Sequence, residues 1–319
     1  MPQKIIIDTD PGIDDAMAIH MAFADPRLDV LGLTTIFGNV TIDIATRNAL
    51  VLAEMAHYKT AIIKGAPIPR RRPLEPPADF VHGAEGFGDV PPITPQGTPV
   101  AEDAARYLCE TCAAHPGEII ICAVGPLTNL AAALDYDPAI VDHVKAVVIM
   151  GGSAAPHGNV TAVAEANIWN DPDAAECVFA ARWPVTMVGL DVTEKAHCMP
   201  ADFAALARQA PDIGGFLNAA TQFYFDFHEN KTGIRSCFMH DPSAVLAITD
   251  PEYFDFESMA LTVICDGDDI GRTLPVDDAS RPMVQVAMQV NASAVQGKFT
   301  QLVAQADKLK ANRATDAQR

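Results

Sequence analysis

The sequence predicts a single-domain α/β protein built on an open, mainly parallel sheet with helices on both faces. β-branched runs alternate with amphipathic stretches, and most of the runs are apolar nearly throughout, as strands covered on both faces must be. The stretches between them supply the right-handed crossovers that parallel strands require.

In chain order the strands are read at KIIIDTD, LDVLGLTTIFG, EIIICAVG, AVVIMGG and PVTMVGLDV, and helices are expected over Asp14 to Ala24, Ile42 to His57 and Ala101 to His115. Two regions break the rhythm. Residues 66–99 are rich in Pro and Gly, and a long loop inside a compact domain is usually functional, so this segment is a candidate mobile lid. The second is the aromatic segment Phe216 to Glu229. From Phe254 the chain becomes strand-rich, then closes on a helical pattern, Ala292 to Leu309, and a polar tail, 311–319, expected to fray. One continuous core over 1–319 is expected, since α/β proteins of 319 residues often form one domain.

A formal charge of −19 argues against nucleic-acid polymers and anionic membranes as partners, because a phosphate surface needs a basic footprint to displace its counterions. Small neutral molecules and cations remain compatible. Arg70, Arg71 and Arg72 lie in a proline-rich stretch and read as a solvated loop. No stretch is apolar enough to span a bilayer, and MPQKIIIDTDPG lacks a signal-peptide core, so a soluble, cytoplasmic protein is expected. Seven cysteines scattered through apolar segments suit reduced, buried thiols, and Cys109 and Cys112, a C-x-x-C without a second pair, read as structural.

The sharpest feature is Asp8-Thr9-Asp10-Pro11-Gly12-Ile13-Asp14-Asp15, where an apolar strand ends, turns and enters a helix. Ligands of open α/β sheets bind beyond the carboxyl ends of strands, where Asp10 falls. Strand alternation puts Asp8 and Asp10 on one side, and Asp14 and Asp15 lie near the positive end of the helix dipole. Capping satisfies one or two of these groups but not all four, because unit charges ~4 Å apart repel by about 4 kcal/mol even at an effective dielectric near 20. A bound cation resolves the conflict. Oxygen donors without His or Cys select a hard ion, and calcium accepts six to eight of them in roughly adaptable geometry.

The octapeptide resembles the N-terminal signature of the inosine-uridine type nucleoside hydrolases, D-T-D-P-G-x-D-D, without a gap. The likeness continues through Asn39 after Phe37-Gly38, Val124-Gly125-Pro126-Leu127-Thr128-Asn129, Met150-Gly151-Gly152, Asn159, Glu165-Ala166-Asn167 and His240-Asp241-Pro242, in the family's order. It implies a Rossmann-like core in the nucleoside hydrolase fold and hydrolysis of ribonucleosides to ribose and free base, a step of purine and pyrimidine salvage. It further implies calcium held by Asp10, both oxygens of Asp15, Asp241 and the Val124 carbonyl. Asp14, Asn39 and Asn167 would bind the 2′ and 3′ hydroxyls, Asn159 and Glu165 the 5′ hydroxyl, and Met150 would line the sugar pocket. Homodimers or homotetramers are implied as well. Well-known members carry an aromatic residue where this chain has Ala166, which leaves the wall around the 5′ end open or filled from elsewhere.

Cleaving an N-glycosidic bond passes through an oxocarbenium-like sugar, so water must be activated on one face while the base is helped to leave. Asp10 is the expected general base. His240, beside a metal ligand and with an unperturbed pKa near neutrality, is the expected acid for the leaving group. His82 within the candidate lid, and Tyr224 and His228 in the aromatic segment, are candidate base contacts. Two rival readings are a haloacid-dehalogenase-like phosphohydrolase with Asp8 as nucleophile, and a non-catalytic nucleoside- or ribose-binding protein that retains the calcium site.

Overall fold

The computed structural model describes residues 1–316. Its strands are β1 (Gln3–Thr9), β2 (Leu28–Thr35), β3 (Ala61–Lys64), β4 (Ile119–Ala123), β5 (Ala146–Met150), β6 (Val185–Val188), β7 (His197–Cys198), β8 (Cys237–Phe238), β9 (Phe254–Val263), β10 (Thr273–Val276) and β11 (Met283–Val290). Nine form one sheet in the order β10-β9-β11-β6-β5-β4-β1-β2-β3, and β7 pairs with β8 apart from it. Within this sheet every neighbour from β6 to β3 is parallel, β11 joins β6 in parallel, and the β9 pairings with β10 and β11 are antiparallel, as is the separate β7–β8 pair.

Alternation along β1 divides the core in two. Ile5 and Ile7 pack in one cluster with Met17 and Ile19 of the helix Ile13–Ala24, whereas Ile6 packs in the other with Ile119, Ile121 and Leu130. This is the expected sheet covered on both faces. The chain runs outward from β1 through β2 to β3, then returns across β1 to build β4, β5 and β6 on its other side. The order therefore reverses between β1 and β4, and such a switch point leaves a crevice at the carboxyl ends of the two strands. The Val124 N–H donates to the Asp8 carbonyl at 2.8 Å there.

Several boundaries move for local reasons. The helix expected from Ala101 runs Ala104–Ala114, because Asp103 caps it by accepting the Arg106 N–H at 3.0 Å. The aromatic segment lies within one long helix, Ile213–Thr232. The closing pattern divides into Ala292–Val303 and Ala306–Asp316. Of the tail expected to fray, 311–316 continue that last helix, with Arg313 donating to the Ala56 carbonyl at 3.0 Å; 317–319 lie outside the described residues. No described helix is long and apolar enough to cross a membrane. All seven cysteines are free thiols.

Candidate active site

The acidic turn is built by the exit from β1. The chain leaves the sheet after Thr9, and the next helix starts at Ile13 with Gly12 as its N-cap. Asp15 closes that cap: its Oδ2 accepts the Gly12 N–H at 2.9 Å, and its Oδ1 accepts the Thr9 hydroxyl at 2.5 Å. Asp10 Oδ2 accepts the Asn39 N–H at 2.6 Å, and the Asn39 amide donates to Asp15 Oδ2 at 3.0 Å. Asp241 enters from the first turn of another helix, His240–Thr249. Carboxylate oxygens of Asp14, Asp15 and Asp241 lie within 4.8 Å of one another.

All four of Asp10, Asp14, Asp15 and Asp241 are buried, and among the described residues none is paired with a Lys or Arg. Burial, and for three of them the neighbouring carboxylates, pushes Asp14 and Asp15 up to about 6 and Asp10 and Asp241 well above the ordinary range. Asp10 Oδ1 and Asp14 Oδ1 are buried without a hydrogen-bond partner among the described residues. Gly125 is required by this crowding, since a Cβ there would lie 2.6 Å from Asp10 Oδ1. Orphaned oxygens, mutual repulsion and an all-oxygen donor set fit a hard divalent cation.

Asp8 is not part of this group. Its Oδ1 accepts the Thr34 hydroxyl at 2.5 Å and the Asn129 amide at 2.8 Å, it does not line the cavity, and burial raises it to about 7. The fourth carboxylate of the cluster is Asp241 instead. Asp8 is thus held in the sheet by Thr34 and Asn129, a placement that does not favour the phosphohydrolase reading with Asp8 as nucleophile.

Above the cluster opens a cavity of about 370 Å³. Asp14, Asn39, Val124, Met150, Asn167 and Asp241 line its floor, while Asp10 and Asp15 are fully buried behind it. The Asn167 amide donates to the Val124 carbonyl at 2.9 Å and the Met150 carbonyl at 3.1 Å. Glu165 caps the short helix Ala166–Asn170, accepting N–H groups of Asn167 and Ile168, and it also accepts that of Gly152. Burial nonetheless raises it to about 7. Asn159 holds the Ala166 N–H at 2.9 Å. Ala166 lines this part of the wall together with Val160, Phe227 and Lys231.

The other side of the cavity brings together His82, Tyr224, His228 and His240. Tyr224 stacks on His82 with ring centroids 5.6 Å apart, meets His228 edge-on at 4.4 Å, and directs its hydroxyl to Asp14 Oδ2 at 3.4 Å. His82 Nδ1 accepts the Ile13 N–H at 3.2 Å, so the neutral ring carries its proton on Nε2. His240 Nδ1 lies 2.8 Å from the Thr193 hydroxyl. Burial is the main cause that lowers His82 to about 4 and His228 and His240 to about 3, so all three rest neutral at pH 7. The expectation that His240 titrates near neutrality is thereby corrected. Sequence reasoning missed Phe238, whose ring lies 4.5 Å from His228 and 5.5 Å from His240, and Thr193, which carries no motif.

Comparison with known proteins agrees with this geometry. Residues 5–297 match the family described as inosine-uridine preferring nucleoside hydrolase. Uridine nucleosidase 1 of Arabidopsis thaliana is 40% identical over 273 residues, 85% of this chain and 81% of that protein. The inosine-uridine preferring nucleoside hydrolase of Crithidia fasciculata is 36% identical, covering 82% of this chain and 84% of its own. A solved plant nucleoside hydrolase superposes with a TM-score of 0.92 at 38% identity, covering 95% of this chain and 99% of the other. A match over nearly the whole sheet, on an acidic turn at the switch point, means that the chain belongs to the inosine-uridine preferring nucleoside hydrolase family, enzymes that hydrolyse the N-glycosidic bond of ribonucleosides.

Proposed function

We propose that the protein is a calcium-dependent ribonucleoside hydrolase in which Asp10 is the general base and His240 assists the departing nucleobase. The observation that carries this reading is Asp10 Oδ1, a buried and partnerless carboxylate oxygen beside a cavity whose opposite wall holds neutral histidines. Asp10, Asp15, Asp241 and the Val124 carbonyl would hold the cation. Asp15 Oδ2 already carries two donors, so bidentate ligation requires the Asn39 amide to release it, which frees that amide for the ribose diol. A divalent cation held there would acidify water and could bind the diol oxygens.

With Oδ2 fixed by the Asn39 N–H, Asp10 presents Oδ1 to take the proton from water. Asp14, Asn39 and Asn167 grip the 2′ and 3′ hydroxyls, Asn159 and Glu165 the 5′ hydroxyl, and Met150 packs against the sugar. As the bond lengthens, negative charge grows on the base. His82 donates from Nε2–H, and His240, with Thr193 donating to its Nδ1, donates from Nε2. Tyr224 and His228 face the base. The protein would work in the cytoplasm, where its seven free thiols stay reduced, as a homodimer or homotetramer.

Two assays test this reading, with uridine and inosine as substrates because relatives are named for them. His240→Ala is expected to slow both nucleosides by about 10²-fold or more. Its effect on 4-nitrophenyl riboside, whose leaving group departs with little protonation, should be far smaller. Equal losses on all three would make His240 structural.

The second assay is thermal melting with chelator or calcium at pH 6.5 and 8. The unfolded carboxylates ionise near 4, whereas Asp14 and Asp15 of the metal-free fold hold protons to about 6, and Asp10 and Asp241 hold theirs higher. The fold therefore binds more protons than the unfolded chain, and metal-free stability falls as pH rises through this window. Neutral His20, His82, His228 and His240 oppose that trend only below about pH 6.5, where the unfolded chain gains protons. Calcium at a hundredfold excess over Kd adds about 2.7 kcal/mol. Its stabilisation should be larger at pH 8 than at 6.5, and an equal or smaller shift at pH 8 would count against the carboxylate site.

A further inference from the structure

The loop that carries His82 is tied to the acidic turn by a side chain that lines neither the cavity nor the carboxylate cluster. Asn48 sits inside the helix Ile42–Met55 and is 1% exposed. Its Nδ2 donates to two backbone carbonyls at 2.9 Å each: that of Pro11, directly after Asp10, and that of Glu85, just beyond His82. Its Oδ1 accepts from Arg47 Nε at 3.1 Å and Nη2 at 2.8 Å. That fork fixes the amide, because a flipped Asn48 would set its oxygen against two carbonyl oxygens. Arg47 also donates to the Glu85 carbonyl at 3.0 Å and pairs with the Glu85 carboxylate.

The loop is shaped for this contact. Gly86 has φ +87°, and a Cβ there would lie 2.6 Å from Asn48 Nδ2 and 2.9 Å from the Pro11 carbonyl. Gly86 N–H returns to the Gly83 carbonyl at 3.1 Å and Gly88 N–H to the His82 carbonyl at 2.7 Å, so a shift at Glu85 is passed to His82. On its ring, His82 has one hydrogen bond among the described residues, the Ile13 N–H at 3.2 Å. The carboxylates are anchored more fully, through Thr9, Gly12 and Asn39.

We propose that Asn48, oriented by Arg47, is a positioning residue for the glycosidic cleavage: it sets where His82 stands against the leaving base. The inference rests on the reading of His82 as a base-side donor. Asn48→Leu keeps the volume and removes the donors, and Arg47→Gln, at a half-buried site, releases the amide with less risk to folding. Both are expected to lower kcat/KM for uridine about 10-fold or more. 4-Nitrophenyl riboside turnover and the calcium concentration for half-activity should stay within about twofold of the parent, since the carboxylate turn keeps its other ties. In a His82→Ala background the further loss for uridine should shrink to under about twofold, the signature of two residues acting through one path. A full, multiplicative loss in that background, or equal losses on both substrates, overturns the clamp. If His82→Ala alone leaves uridine hydrolysis unchanged, the reading of His82 fails, and the inference fails with it by a separate and recognisable route.

Discussion

Asp10→Asn is expected to lower kcat for uridine and inosine by about 10³- to 10⁴-fold, the upper range for loss of a general base, with little change in KM. The substitution is nearly isosteric, and its Oδ1 can still accept the Asn39 N–H now received by Asp10 Oδ2. The NH₂ then occupies the place of the partnerless Oδ1, where it cannot take a proton and turns two hydrogens toward the other carboxylates. On the proposed assignment Asp14, Asn39 and Asn167 remain to bind sugar, so affinity should largely survive. A second readout separates chemistry from misfolding. Asp10 contributes to the repulsion that raises Asp241, and neutralising it should raise the melting temperature of the metal-free protein while shrinking the shift that calcium produces. Activity within about tenfold of the parent would remove Asp10 from the base role.

Much of this site is written in contiguous residues. The turn from Asp8 to Asp15 is legible because a strand end, a Pro-Gly turn and a helix start follow within one short segment, and physics limits how many of its carboxylates a cap can satisfy. The reading of Asp8 went wrong at the one place where period-two alternation stops applying. β1 ends at Thr9, so Asp10 lies in the turn and need not share a side with Asp8, which stays in the sheet against Thr34 and Asn129. Asp241 was reachable only through family resemblance, since nothing local links it to residues near the start of the chain. The short strand β3, four residues long, gave too little pattern to be read.

Contacts between distant segments account for the rest. Thr193 meets His240 across 47 positions and Asn48 meets Pro11 across 37, and no spacing rule announces either pair. Composition marked 66–99 as loop, yet it could not reveal that Arg47 and Asn48 fasten the part around Glu85 to a helix. Nor could it foretell the resting charge of His240, which depends on burial beside other histidines.

The sugar offers the sharpest test of how the floor of the cavity works. 2′-Deoxyuridine and 2′-deoxyinosine are each expected to fall at least ~10³-fold below their ribonucleosides in kcat/KM, because a site built to bind a hydroxyl discriminates by about 10⁴ to 10⁵ against its absence. On the proposed assignment the reason lies in Asp14, whose Oδ1 is buried without a hydrogen-bond partner among the described residues while the Tyr224 hydroxyl lies 3.4 Å from its Oδ2. A ribose hydroxyl supplies the missing donor. Without it the carboxylate stays unsatisfied, at about 1–3 kcal/mol for a neutral group and more for a charged one. Each 1.4 kcal/mol is about tenfold in rate, so this orphan, together with the position that the proposed cation would be left to fill otherwise, would account for the expected factor. Much of the loss should fall on kcat, since the diol also holds the ring as the bond breaks. In Asp14→Ala the orphan is gone, and the ratio between ribo- and deoxynucleoside should narrow even though both are slow. Comparable turnover of the two sugars by the parent enzyme would overturn the assignment of Asp14 to the diol.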